Sequence, residues 1–185
     1  MIKIFSAIVV SLIIGFKVMA YEEANYKVVK QNKVYEIRKY SDRLAIEAIT
    51  SNEGSSFRKL FNYISGNNEN KEEISMTTPV TQVEKKGNMT MQFYLPSKFN
   101  KDNTPSPSNS EVKVLNIKGG YYAVIKYSGR ASDKNFIKHK DILKDELKKN
   151  DITILSSPIK ATYDKPFTLP MLRRNEAMFK IDINL

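Results

Sequence analysis

A single imidazole, His139, and no cysteine at all limit the chemistry this sequence can perform. Without thiols there is no disulfide framework, thiolate zinc site, iron–sulfur ligation or cysteine nucleophile. One histidine removes multi-histidine metal sites and the common histidine relays. His139 falls on an expected helix, between the directions of Ile142 and Leu143 and at the edge of an apolar stripe. An axial ligand or a proton shuttle is one reading. A half-buried imidazole finishing the stripe is the favoured one, because Lys138 and Lys140 oppose a further positive charge. Glu72-Glu73 follows a polar loop and Asp145-Glu146 sits on a lysine-rich helix, where i,i+4 pairing is the ordinary role. No serine stands in a G-x-S-x-G context and no glycine loop is built to cradle phosphate. Glu36, Glu47 and Tyr127 become candidates for acid–base work only if they line one pocket. The residues point to binding rather than catalysis.

What remains is apolar and aromatic surplus: ten Tyr, nine Phe and seven Met in 185 residues. Phe57, Leu60, Phe61 and Ile64 recur at i, i+3, i+4 and i+7, one face of a helix. Most such residues pack a core. A stripe laid over a curved sheet can also leave a cleft for a flat apolar ligand, with methionine adapting to its shape. The formal charge of +10 suits anionic groups on that ligand. Of the thirty basic residues 24 are Lys and 6 are Arg, which argues against nucleic acid, since Arg supplies the planar fork that reads phosphate and guanine.

These residues need elements to hold them. Residues 34–38 and 44–49 alternate as strands, and residues 53–64 read as a helix stopped by Ser65-Gly66. Residues 74–83 and 89–95 are strands; Pro79 marks an edge or bulge in the first. Residues 97–110, rich in Pro, Ser and Asn, form a surface loop. The same order then returns. Strands 112–117 and 121–127 meet at Gly119-Gly120, which reads as a hairpin. A helix over 134–149 is capped by Ser132-Asp133, and strands follow at 152–155, extending to Tyr163, and at 177–183. The chain thus reads ββαββ twice, over about 34–96 and 112–184. The expected class is α+β: a duplicated unit closing into an antiparallel, eight-stranded distorted barrel with two flanking helices.

Ahead of this single domain, Lys3 precedes thirteen uncharged, mostly apolar residues, 4–16, and then Val18-Met19-Ala20. This is the layout of a secretory signal over residues 1–20. Thirteen helical residues reach about 20 Å, short of a hydrocarbon core about 30 Å thick, so a retained anchor is the weaker reading. From Tyr21 onward, without Lys3 and Lys17, the formal charge is +8. The expected protein is exported, periplasmic or secreted, and touches a membrane only if the leader stays.

Particular strings carry a resemblance. Tyr35-Glu36-Ile37-Arg38-Lys39-Tyr40, the run from Phe57 through Asn68, Ile74-Ser75-Met76-Thr77-Thr78-Pro79-Val80, Met91-Gln92-Phe93-Tyr94-Leu95-Pro96, Pro105-x-Pro107 and Arg173-Arg174-Asn175-Glu176 occur in the order found in the SOUL family of haem-binding proteins. Together they span nearly all of the chain after the leader. The resemblance implies the duplicated distorted barrel and an open hydrophobic groove for haem, or a related tetrapyrrole, beside the first helix. Carried over by position, Phe57, Leu60, Phe61 and Ile64 form the groove wall, and Met171 and Leu172 the facing loop. Basic residues that flank the groove in characterised members align here with Gly54 and Asn62, so Arg58, Lys59 and Arg173 are the candidate partners for haem propionates. The histidine proposed as a ligand in some members has no match, because His139 lies on the other helix. The resemblance therefore implies a non-covalent, b-type haem held by apolar contact, without a dedicated metal ligand, in a carrier or buffer that is not an enzyme. The alternative is another amphiphile or a protein segment in the same groove. Arg174 and Glu176, two apart on a strand, can point the same way and pair, which would make that string a structural corner.

Overall fold

The computed structural model describes residues 21–49, 53–85 and 87–183. The expected leader, residues 1–20, lies outside them. The elements in chain order are β1 (Glu22–Glu23), β2 (Tyr26–Gln31), β3 (Glu36–Tyr40), β4 (Arg43–Ile49), α1 (Glu53–Ile64), β5 (Thr77–Thr78), β6 (Val80–Lys85), β7 (Asn88–Tyr94), β8 (Val112–Ile117), β9 (Gly120–Tyr127), α2 (Asp133–Lys149), β10 (Thr153–Ile154), β11 (Ile159–Thr162) and β12 (Asn175–Asp182). A short 3-10 turn spans Pro170–Leu172.

Both helices form where local chemistry predicts them. In α1, Glu53 occupies the first turn, where the helix dipole favours a carboxylate, and Gly66 at φ +97° supplies the left-handed residue that ends it. Ser132 caps α2, its hydroxyl accepting from the Asn135 N–H at 3.4 Å, and Lys148 and Lys149 close the last turn.

The strands form one curled, half-barrel sheet in the hydrogen-bonded order β2-β3-β9-β12-β11-β6-β7-β4-β8, with β10 also paired to β12. Every pairing in it is antiparallel. The expected α+β class, with a barrel-like antiparallel sheet and two helices on it, is what the chain adopts. Strand β2 extends the expected eight strands to nine along this path. It pairs with β3 across a turn where Asn32 Oδ1 accepts the N–H groups of Val34 and Tyr35, both at 2.8 Å. The two-residue β1 pairs in parallel with β5.

The Gly119-Gly120 hairpin is a correction. Strand β8 pairs with β4, whereas β9 pairs with β3 and β12, so the glycines turn a corner between distant parts of the sheet. A Cβ at Gly119 would stand 2.4 Å from the Tyr40 carbonyl oxygen, so the corner needs the absence of a side chain more than it needs a hairpin turn. Asp42 clamps it, accepting from the Gly119 N–H (2.9 Å), Lys118 Nζ (2.8 Å) and Asn116 Nδ2 (3.1 Å). The strand expected over 74–83 is likewise divided at Pro79 into β5 and β6, since proline cannot donate to a ladder.

Helix α1 packs on β4, β7 and β8, and α2 on β9, β10 and β12. Leu60, Tyr63 and Ile64 close one core with Ile46, Met91 and Phe93; Leu143 and Leu147 close a second with Ala123, Ala177 and Phe179. A third cluster, with Tyr40, Tyr122, Ala161 and Met178, includes residues that alternate along β11 with those facing the helices. No helix among the described residues is long and apolar enough to cross a membrane.

Candidate functional site

Because each helix covers its own flank of the sheet, the central pair β6–β11 is left between them. Strand alternation turns Val80 and Gln82 of β6 and Lys160 and Thr162 of β11 into this valley. The result is an open cleft of about 540 Å³, within the range of small-ligand sites. Phe57 and Phe61 form one wall, Met76 and Met91 add apolar floor, and Tyr163, Lys165, Pro166 and Arg173 line the opposite side.

The Phe wall is solvent-facing, and its two rings are stacked. The rings of Phe57 and Phe61 lie 6.0 Å apart and 12° from parallel, and are 41% and 49% exposed. Phe57 is held from behind by an edge contact to Phe93 at 5.2 Å. Two large aromatic side chains so exposed on one helix face are an unfinished apolar surface.

Charge sits at both ends of the cleft. Lys160 is buried; its Nζ donates to Asp133 Oδ1 at 2.8 Å and lies 3.8 Å from Glu53 Oε1, so the first turns of both helices meet on one ammonium. Beside it, the buried Oε1 of Gln82 has no hydrogen-bond partner among the described residues. At the other end, Arg173 Nε donates to the Thr168 carbonyl at 2.7 Å and its Nη2 to that of Pro166, which fixes the guanidinium and stiffens the loop. The Tyr163 hydroxyl donates to Glu176 Oε2 at 2.7 Å; burial, and then the Glu176 charge, push its pKa far above that of a free phenol, so it stays protonated.

Placement divides the expected site residues. Phe57, Phe61 and Arg173 line the cleft. Leu60 and Ile64, at 0% and 6% exposure, face the sheet in the core beneath the wall. Met171 and Leu172 are exposed on the facing loop but do not line the cleft. Arg58 is exposed on α1 outside it, and Lys59 pairs with Glu111 at 2.7 Å. His139 does not line the cleft: its ring stacks on Tyr127 at 4.1 Å and 6°, and Nδ1 donates to the Asn135 carbonyl at 2.8 Å. Neither Glu36, Glu47 nor Tyr127 lines the cleft. Glu36 pairs with Arg38 and Lys126, and Glu47 accepts from Gln92 Nε2 at 2.6 Å. Among the described residues no group of three or more His, Asp or Glu side chains could hold a metal ion.

Sequence reasoning missed Lys160, Gln82 and Lys165. Lys160 lies between Ile159 and Ala161 and Gln82 between Thr81 and Val83, as on the outer face of a half-buried strand, and only the helices' positions convert that face into a cleft floor.

The strings that carried the resemblance are largely structural. Arg38 and Glu176, both fully buried, pair through two hydrogen bonds of 2.9 and 3.0 Å. Burial works against the guanidinium's charge, but the hydrogen bonds and charge of Glu176 prevail and hold its pKa up. Arg174 donates to Glu176 Oε1 from Nε and Nη2, at 3.0 and 2.8 Å, and grips Glu23 with both Nη groups at 2.8 Å. The Tyr-Glu-Ile-Arg and Arg-Arg-Asn-Glu strings therefore meet in one ionic lattice. Likewise Tyr63 donates to the Pro105 carbonyl at 2.7 Å, tying the first helix to the Pro-x-Pro loop.

Fold and cleft together define a small α+β protein: a curled antiparallel sheet, two helices on it, and an open apolar valley between them. The SOUL heme-binding protein family matches residues 21–180, nearly all of the described chain, and this chain belongs to that family. No curated protein compared with it matches. Among solved structures, the C-terminal domain of EcmrR is similar at TM-score 0.61 and 12% identity, covering 85% of this chain and 98% of that one. A hydrolase encoded by lin2189 from Listeria innocua is similar at TM-score 0.61 and 8% identity, covering 83% and 94%. At such identities these likenesses show the fold alone.

Proposed function

We propose that the cleft binds haem or a related tetrapyrrole non-covalently, and that the protein is an exported carrier or buffer of it. The observation that carries this is the exposed, stacked Phe57–Phe61 wall over an open cleft, in a chain of a haem-binding family. A macrocycle face can lie against those rings, with Met76 and Met91 adapting beneath it. Lys165 and Arg173, which form no ion pair among the described residues, stand where ligand carboxylates would project. Among the described residues the cleft lining supplies no imidazole, and its part-buried phenol, Tyr163, is held protonated by desolvation and Glu176. In this proposal apolar contact and rim charge hold the ligand, without a committed metal ligand among the described residues.

The remaining expectations belong to the same proposal: a leader over residues 1–20 that exports the protein or tethers it, a periplasmic or secreted location, and two units over about 34–96 and 112–184. Strand order supports the two units. Taking β3, β4, β6 and β7 as one unit and β8, β9, β11 and β12 as the other, the path β3-β9-β12-β11-β6-β7-β4-β8 reads the same from either end.

Titration of the protein with haemin, following the Soret band, tests the binding. A saturable shift at micromolar haemin that survives His139→Ala is expected. No saturable shift would sink the proposal, and loss of the shift on the His139 change alone would overturn the absence of a committed ligand.

A further inference from the structure

The loop that closes β11 to β12, residues 163–174, does more than wall the cleft. Its tip exposes four large apolar side chains: Phe167 at 81%, Leu169 at 59%, Met171 at 75% and Leu172 at 69%. Four such residues within six positions far exceed the scattered exposure normal on a surface. The tip is also built rather than slack. The Thr168 N–H donates to the Lys165 carbonyl at 3.0 Å, the Leu172 N–H to that of Leu169 at 2.9 Å, and the Gly129 N–H to that of Pro170 at 2.8 Å. With Arg173 bound to the Thr168 carbonyl, the backbone spends its hydrogen bonds on holding apolar groups outward.

Cations ring this tip. Lys165 Nζ stands 5.8 Å from the Phe167 ring centre, Arg173 follows the turn, and exposed Arg130 adjoins Gly129, which is bonded to Pro170. None of the three forms an ion pair among the described residues. An apolar tip inside a ring of unpaired cations complements one kind of surface in particular, an anionic lipid bilayer, where the tip enters the acyl boundary and the cations meet headgroups. Tyr21, the first described residue, lies under Lys165, with its ring centre 5.3 Å from the Nζ.

We propose that residues 165–173 form a membrane-docking tip that inserts Phe167, Leu169, Met171 and Leu172 into anionic bilayers. Docking there sets the cleft, which shares Lys165, Pro166 and Arg173 with the loop, at the lipid boundary. The proposal stands apart from the ligand reading, because lipid contact is measured without haemin.

The sequence has no tryptophan, so one introduced indole reports on one place. In the full chain, Phe167→Trp places it on the tip. Leu155→Trp places a control at an exposed site whose N–H bonds the Lys180 carbonyl, near the opposite end of β12. With vesicles of phosphatidylglycerol and phosphatidylcholine carrying brominated acyl chains, the Phe167→Trp emission is expected to shift blue and to be quenched several-fold more than that of Leu155→Trp. Adding Lys165→Gln should weaken binding about fivefold, the share of one cation near an anionic surface. Three results overturn the proposal. Equal quenching at both sites means that the leader alone carries the chain to the vesicle. A blue-shifted emission in buffer without vesicles means that the tip is already covered by protein. Equal quenching by pure phosphatidylcholine vesicles removes the role of the cations.

Discussion

Phe61→Ala and Leu60→Ala, neighbours on one helix, should have opposite consequences. A phenylalanine offers about 200 Å² in all, so the 49% of Phe61 left exposed gives a ligand about 100 Å² to cover. At about 25 cal/mol per Å² this is a ceiling of about 2.5 kcal/mol. Ordering costs on binding reduce it to about 1–2 kcal/mol, or about a five- to thirtyfold rise in Kd for haemin. Stability should fall by at most about 2.5 kcal/mol, because the other half of the ring, about 100 Å², leaves water on folding and its loss opens no closed cavity. Leu60, at 0% exposure, should do the reverse: Leu60→Ala opens a cavity worth about 2–5 kcal/mol while leaving the wall in place. Soret titration reads the first quantity and urea unfolding the second, on the same preparations. If Phe61→Ala destabilises as much as Leu60→Ala and leaves haemin affinity unchanged, the division of the stripe into wall and core is wrong.

Three other outcomes are expected. Arg38→Met should cost about 3–5 kcal/mol in urea unfolding, because it leaves the Glu176 carboxylate buried beside fewer cations; Arg38→Met with Glu176→Leu should recover part of this, and no recovery would show that the lattice acts through more than this pair. Gly119→Ala should lose about 1–3 kcal/mol, since its Cβ would meet the Tyr40 carbonyl at 2.4 Å and the corner must open; an unchanged urea midpoint would refute the close approach. Asp42 is held down to about 2 from 3.8 by hydrogen bonds from Lys118, the Gly119 backbone and Asn116, so its contribution is complete above about 3.8 and fades as pH falls toward 2. The stability gap between wild type and Asp42→Asn should accordingly be present at neutral pH and close near pH 2; a gap that widens on acidification contradicts this sign.

The sequence alone was enough for what depends on near neighbours in the chain. The bounds of α1 followed from an apolar period of 3.6 and from Gly66 just past its end, and the start of α2 from the Ser132-Asp133 cap. The antiparallel, barrel-like class followed from short alternating strands, and the family from ordered strings that prove to be lattice and loop anchors. Two signals were ambiguous because they too are local. Gly119-Gly120 looks the same for a hairpin and for a corner, and only the approach of Tyr40, some eighty positions earlier, distinguishes them. An apolar stripe does not say which of its side chains reach the sheet, so Leu60 and Phe61 were indistinguishable until the packing of α1 on β4, β7 and β8 placed one in the core and left the other facing the cleft.

Tertiary structure decided the site. Lys160 and Gln82 lie 78 positions apart and face each other only because β11 pairs with β6 at the centre of the sheet. Such positions occur on any half-buried strand. Burial of the ammonium, its two carboxylate neighbours and the valley above it arise from where two helices come to rest, which is a property of long-range packing and not of any short stretch of residues.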